Sequence, residues 1–469
     1  MFEIPIVIDQ DGNNPIYLQV YEAIKLEIQA GRMPPGTKLP SKRKLAQHLQ
    51  ISQTTVETAY EQLMAEGYVD SFPRKGIFVK ELNSDLFSVT NKIPFRENDT
   101  VQPQKEKVQY DFSHGGIALE AFPYSIWRKL SVQSLYEEES SLFLNGERNG
   151  EAGLREELAS YLYQSRGVIC TPNQIVLGAG TQFLIGLLTM MIGKDAIYSM
   201  EEPGFHRTRQ VFKDQGVKLI PILLDQDGMD IKKLSESKAK VTYVTPSHQF
   251  PIGMVMPIKR RMELIHWAVE NNGFIIEDDY DGEFRYKGKP IPSLQGLDSN
   301  GKVIYLGTFS KSLIPSIRIS YMVLPVSLLE VYHRHFTIYK QTVSRIHQHT
   351  LWHFMKNGHW ERHLNRMRTV YRKKQEVLVL MIKKLLGKRV SMIGEEAGLH
   401  VLLRVNNQMT ETELIERAAK FGVKVYPTSI YYEEQKAEKE TVILLGFGGL
   451  SEAEIQEGIR LLAKAWFDD

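Results

Sequence analysis

The chain has 469 residues, 42% of them apolar and 24% charged, with a formal net charge of +2 and one cysteine, Cys170. That length suggests roughly two to four domains of about 100–200 residues each, and the composition is that of an ordinary globular protein. A single cysteine excludes an intramolecular disulfide and a cysteine-based metal cluster, so no metal site is expected. No run approaches the roughly 20 apolar residues of a membrane helix, and the start MFEIPIVIDQDG lacks the basic region of a signal peptide, which points to the cytoplasm and to no membrane partner.

Residues 1–80 read as short helices broken by tight turns. Pro15 opens a stretch in which Ile16, Val20, Ile24 and Ile28 recur at helical spacing, and GRMPPG stops it. A second helix is predicted over 42–48, with Ser41 placed to cap it and Arg43 in its first turn. After the break at 49–51, a third begins at Ser52 and runs through Val56, Ala59, Tyr60 and Leu63 to Gly67. Two β-type runs, 68–69 and 76–79, follow around the basic turn Pro73, Arg74, Lys75.

Two short helices and a basic hairpin are the parts of a winged helix-turn-helix. The third helix would then enter the major groove of double-stranded DNA, with Gln53, Thr54 and Thr55 reaching base edges. Lys42 and Arg43 would grip phosphates or a guanine, and Arg74 and Lys75 would touch the backbone or minor groove. Ser41 and Ser52 at the helix starts complete the candidate DNA-contact set. Net charge alone does not argue for nucleic acid, but residues 31–80 carry eight Lys or Arg against four acids. A small three-helix bundle with a hairpin for protein contacts has the same spacing.

Residues 81–110 carry no sustained apolar period and read as a linker. From there short apolar strands alternate with amphipathic helices: 174–177, 196–200, 218–223, 241–244, 273–276 and 303–306. Such alternation predicts an α/β domain over 111–469 with a mostly parallel sheet. A long charged helix opening near Asn365, followed by βαβ-like material, predicts a smaller lobe over about 365–469.

The run TFSKSLIPSIRISY, 308–321, places Lys311 in a small-residue loop after an apolar strand. A lysine there, with Thr308 and Ser310 as hydroxyl donors and Arg318 as a fixed cation, suits an aldehyde cofactor that carries a phosphate. The amine would form a Schiff base while the hydroxyls and guanidinium hold phosphate oxygens. QIVLGAGTQ, 174–182, is a strand, a small-residue turn and a helix start at Thr181, a second phosphate cradle. Phe205 in EEPGF offers a face on which a pyridine ring can stack.

IIEDDYDGEF brings acids to a strand's end, where Asp278 or Asp279 can face a pyridine nitrogen, with the Tyr280 phenol beside them. TPSHQFPIG brings His248 towards the same crevice. All these pieces fall at carboxyl ends of strands, where α/β sheets bind ligands.

The stretch LPSKRKLAQHLQISQTTVETAYEQLMAEGYVDSFPRKGIFV resembles the winged-helix domain of the GntR superfamily, which commonly carries arginine at the position of Gln53 and often a basic residue at that of Glu57. Glutamine prefers adenine, so the resemblance implies a less guanine-centred operator. Residues 110–469 resemble the fold-type I pyridoxal phosphate (PLP) enzymes of the aspartate aminotransferase superfamily. That resemblance implies Lys311 as the Schiff-base lysine, Asp278 as the ring-nitrogen partner and Tyr280 as the 3-oxygen partner. Arg318, Ser310, Thr308, Gly180, Thr181 and Gln182 would meet the phosphate, and Phe205 the ring. His248 falls roughly where many members carry asparagine.

The combination resembles the MocR family of bacterial transcription regulators, including its GabR-type members. It implies a domain-swapped homodimer in which PLP, alone or with an amine ligand, alters DNA binding by favouring one dimer geometry. One departure stands out. Where GabR-type members and aminotransferases carry a carboxylate-clamping arginine in a motif like GFAR, this chain reads LLGFGGL, with Gly448 and Gly449. Arg207 is the candidate to take an effector carboxylate instead. The missing clamp favours PLP itself as the signal, as in members that control PLP biosynthesis. A genuine aminotransferase, or a regulator sensing an amine through PLP, are the alternatives.

Overall fold

The computed structural model describes residues 6, 8–9, 14–82, 108–137, 139–286, 291–433 and 441–467. The chain divides into two compact units, Met1–Pro103 and Gln104–Asp469. Most of the expected linker lies outside the described residues.

The first unit holds α1 (Ile16–Gln29), α2 (Lys42–Leu49), α3 (Gln53–Ala65) and the hairpin β1 (Val69–Phe72) with β2 (Gly76–Val79). The helix starts follow from side-chain caps, which satisfy backbone N–H groups left without an intrahelical partner. Ser41 Oγ accepts from the Lys44 amide at 3.3 Å, and Ser52 Oγ from the Thr55 amide at 3.1 Å. Gln50, in the left-handed region, ends α2 and makes the tight break. Val20, Ile24 and Ile28 of α1 pack with Val56, Ala59, Tyr60 and Leu63 of α3 in one buried cluster. The apolar period read from the sequence is the period of that contact. Strands β1 and β2 pair antiparallel as the wing, and Arg74 and Lys75 stand exposed at its tip.

The second unit opens with β3 (Tyr110–Asp111). Its central sheet contains β4 (Ile175–Gly178), β5 (Ile197–Glu202), β6 (Lys218–Asp225), β7 (Gly228–Met229), β8 (Val241–Val244), β9 (Phe274–Asp279), β10 (Val303–Thr308) and β11 (Ser320–Val323). Spatial order is β4-β11-β10-β9-β8-β5-β6-β7. The five strands from β10 to β6 run parallel, while β11, β4 and β7 join antiparallel at the flanks. The buried strands β4, β8 and β10 are mostly apolar runs, as expected of strands covered on both faces, whereas β9 opens apolar and ends in three buried acids.

The long charged helix spans His359–Leu385 and so begins before Asn365. Beyond it lie β12 (Val390–Ile393), β13 (His400–Val405), β14 (Val423–Lys424), β15 (Tyr426–Pro427) and β16 (Thr441–Gly446). The βαβ-like expectation for this tail is corrected here: β12-β13-β16-β15 is an antiparallel sheet. Strands separated by a helix in sequence show the same apolar pattern whichever way they pair, so direction was not legible. Strand β3 pairs parallel with β14, which ties the start of the unit to its small lobe. Among the described residues no helix is long and apolar enough to cross a membrane.

Candidate functional site

The carboxyl ends of β5, β8, β9 and β10 open onto one cavity of about 200 Å³. It is lined by His114, Thr181, Gln182, Phe205, Arg207, Thr208, Phe250, Asp278, Tyr280, Asp281, Thr308, Ser310, Lys311, Arg318, Leu399 and His400. Most of the cofactor and effector candidates singled out in the sequence therefore converge on a single space.

Strand geometry separates the two candidate acids. Successive side chains of a strand point to opposite faces, so Asp278 lines the cavity while Asp279 turns away. The Asp279 carboxylate accepts from Arg166 Nε at 2.6 Å and from the Tyr305 hydroxyl at 2.6 Å. Glu277, on the same face as Asp279, accepts from the Leu294 and Gln295 amides. Asp278 Oδ2 accepts from the Tyr243 hydroxyl, whereas its Oδ1 is buried and has no partner among the described residues. Burial, with Asp279, Asp281 and Glu277 nearby, raises the Asp278 carboxyl to about 7 even though the Tyr243 hydrogen bond opposes this.

Lys311 follows β10, and its Nζ donates to the His114 carbonyl oxygen. Burial lowers its amine to about 8; Asp281 opposes the shift and Arg207 adds to it. Thr308 Oγ1 accepts from the Ser310 amide at 3.2 Å and from Ser320 Oγ at 2.9 Å. The helix Thr181–Ile192 begins at Gly180 with φ +100° and no side-chain cap, so its first amides face the cavity end uncapped. A Cβ at Gly180 would lie 2.0 Å from an Arg318 guanidinium nitrogen, so glycine lets that cation sit against the helix start. Arg318 also donates to the Ala179 carbonyl at 3.2 Å.

Two expected residues take up other contacts. His248 does not line the cavity but stands behind Tyr280, its Nδ1 3.0 Å from the phenol oxygen. Phe205 lines the cavity with one face stacked on Phe250, ring centroids 3.9 Å apart. Phe250 was missed, although an aromatic before a proline in TPSHQFP was the available signal. His114, Asp281, Thr208, Leu399 and His400 were missed too. His114 and His400 arrive from segments distant in sequence, and burial holds both imidazoles near 3, hence neutral at pH 7.

Arg207 lies in the first turn of the helix His206–Asp214 and finds no ion-pair partner among the described residues. The LLGFGGL stretch packs backbone on backbone instead of presenting a side chain. A Cβ at Gly446 would lie 2.4 Å from the His114 amide nitrogen, and one at Gly448 2.5 Å from the Gly116 carbonyl. At Gly449, which stands where GFAR has its arginine, a Cβ would lie 3.1 Å from Gly116 Cα, a tight contact and not an overlap.

A lysine amine, an unpartnered carboxylate oxygen, an aromatic wall and a cation set against a helix start suit a pyridine aldehyde bearing a phosphate.

In the first unit Gln53, Thr54, Arg43, Arg74 and Lys75 are exposed, and Thr55 is half-buried. Ser41 and Ser52 serve as helix caps. Lys42 is tied to Glu57 of α3 by an ion pair, so it is not a free cation.

Two family models match the chain: bacterial regulatory proteins of the gntR family over 16–79, and aminotransferase class I and II over 121–460. The HTH-type transcriptional regulator YdeL of Bacillus subtilis (strain 168) is 47% identical, covering 96% of this chain and 97% of its own. The probable rhizopine catabolism regulatory protein MocR of Rhizobium meliloti is 32% identical, covering 98% and 96%. The HTH-type pyridoxine biosynthesis transcriptional regulator PdxR of Corynebacterium glutamicum is 28% identical, covering 98% and 99%. Among solved structures, the kynurenine aminotransferase of Pyrococcus horikoshii superposes with a TM-score of 0.68 at 27% identity, covering 76% of this chain and 90% of its own. The chain therefore belongs to the MocR-type transcriptional regulators, in which a gntR-family winged helix is fused to a fold-type I aminotransferase-like domain.

Proposed function

We propose that this protein binds duplex DNA through its winged helix and adjusts that binding to PLP held on Lys311. The observation that carries the reading is the cavity. Lys311, the unpartnered Asp278 Oδ1, and the Gly180 turn closed by Arg318 surround one space in a chain that also carries a gntR-family helix-turn-helix. A bound PLP would supply an aldehyde for the Lys311 amine and a ring nitrogen for Asp278. In that arrangement Asp278 holds a proton at the ring nitrogen, Arg318 and the first amides of the Thr181–Ile192 helix orient the phosphate, and Phe205 with Phe250 keeps water from one wall. The likeness to PdxR, a pyridoxine biosynthesis transcriptional regulator, supports PLP biosynthesis as the controlled process. The protein is proposed to work as a domain-swapped homodimer in the cytoplasm.

A second reading rests on Arg207. A guanidinium without a carboxylate partner beside Lys311 suits an amine effector that carries an acid group. In a third, the intact Lys311, Asp278 and Tyr280 serve a genuine aminotransferase. Steady-state turnover with amino and keto acids separates that enzyme from the regulator, which is expected to give none.

Two predictions test the assignments. Gly180→Ala adds a Cβ where Arg318 sits and places a side chain at φ +100°, so PLP uptake measured by equilibrium dialysis should weaken about tenfold or more. Unchanged uptake would remove the turn from the phosphate site. Arg43→Ala should weaken operator binding almost equally across sequences and lower the slope of log affinity against log salt by about 1. Gln53→Ala should instead relax discrimination at one base pair by about 1–3 kcal/mol. Competition binding at several salt concentrations tells the two apart.

A further inference from the structure

Tyr280 and Asp281 of the cavity wall form a buried trio with His248 behind them, the three exposed by 8%, 3% and 3%. His248 Nδ1 lies 3.0 Å from both Asp281 carboxylate oxygens and 3.0 Å from the Tyr280 hydroxyl. The same hydroxyl donates to the His248 backbone carbonyl at 3.0 Å. A ring nitrogen that faces a carboxylate carries a proton, so the network assigns the N–H to Nδ1. The Tyr280 oxygen is then gripped from two sides, as donor to a carbonyl and as neighbour of an imidazole N–H.

The trio is also closed from the small lobe. A Cβ at Gly398 would lie 2.1 Å from His248 Cε1 and 2.7 Å from Asp281 Oδ2. His248 Nε2 is buried and finds no partner among the described residues, so the ring's one described polar engagement is on the Nδ1 side. Phe250, two residues on, contributes an apolar ring to the cavity. Tyr280 is consequently the hydroxyl that this wall offers.

We propose that Asp281 and His248 are a positioning pair that holds the Tyr280 hydroxyl in place and so sets how strongly it stabilises a cofactor oxygen in the cavity. The proposal rests on the reading of the cavity as a PLP site. Burial, then Asp281 and Asp278, keeps the Tyr280 phenol protonated far above neutral pH. Its one proton goes to the His248 carbonyl here, so donating to a ligand requires the O–H to turn into the cavity while the His248 Nδ1–H keeps the oxygen in place. The other ionisable groups facing the trio include Asp278, Tyr243, Glu201, His400, His114, Glu283, Tyr286 and the Lys311 amine.

The test is a pH titration of the absorbance of the PLP-loaded full-length protein, run for wild type, His248→Gln, Tyr280→Phe and the double variant. A donor lost from an anionic oxygen favours its protonated form, so each single variant should raise the midpoint, by about 1 pH unit for Tyr280→Phe. Because His248 acts through Tyr280, adding His248→Gln to Tyr280→Phe should move the midpoint little further. An equal His248→Gln shift in both backgrounds, or none in either, overturns the proposal. In the PLP-free protein, 15N spectra of the histidine rings should place the His248 proton on Nδ1, and Asp281→Asn should shift that signal. A proton on Nε2 in the wild type also overturns the pairing. Failure of the wild type to take up PLP refutes the cofactor reading instead, and the 15N spectra then still decide the pair.

Discussion

Lys311→Ala is expected to abolish covalent capture of PLP and, with it, any PLP-dependent change in DNA binding. Borohydride reduction followed by mass spectrometry should label the wild type at one lysine and leave the variant unlabelled. Binding to the DNA upstream of the protein's own gene should change with PLP only in the wild type. Burial disfavours the charged amine and brings Lys311 down to about 8. At pH 7 about a tenth of it is then unprotonated, against well under a thousandth of an ordinary lysine near 10.4. Capture should therefore accelerate as pH rises from 6 towards 8 and level off above that. A rate still climbing steeply at pH 10 would indicate an ordinary surface lysine. Wild-type DNA binding that responds only when an amine is added would shift the reading to the amine effector, with Arg207 the first residue to replace.

The second large effect is on stability. Arg166 and Asp279 form an ion pair at 2.6 Å with both side chains 4% exposed. Removing one partner from such a pair leaves an uncompensated buried charge and typically costs about 3–5 kcal/mol. Arg166→Ala or Asp279→Ala should lose stability on that scale in denaturant titrations of the full chain. Asp279→Ala should not resemble Asp278→Ala, because Asp279 bonds Arg166 and Tyr305 on the far side of the strand. Asp278→Ala removes a carboxylate that is held by a single hydroxyl, so it should mainly lower PLP retention. Equal stability losses for the two acids would contradict the assignment of faces.

Much of the site was legible because its parts sit on short local motifs. The lysine loop after β10, the Gly-Ala-Gly turn after β4 and the acids ending β9 each follow an apolar strand, and strand ends on one side of a parallel sheet share one crevice. His114 was not legible, because its place opposite Lys311 depends on a chain segment returning from the small lobe. His248 was misjudged for a related reason. A histidine near a strand end can point into a crevice or brace its wall, and the Asp281 contact that selects the second lies 33 residues away.

Local spacing marked out the short helices, the hairpin and the α/β alternation, while the resemblance of the motifs to known families decided for the winged helix and singled out Lys311 as the proposed cofactor lysine. Helical and strand periods and capping residues are properties of neighbours in the chain, so they can be read one segment at a time. The tertiary structure gave the physical ground for the choice of Asp278 over Asp279 that the resemblance implied, and it alone tied Lys42 to Glu57, turned the small-lobe strands antiparallel and set Gly446 and Gly448 against the 113–116 backbone. Each of those outcomes depends on which distant segment packs alongside, and an apolar pattern states that a face is buried without naming the segment that covers it.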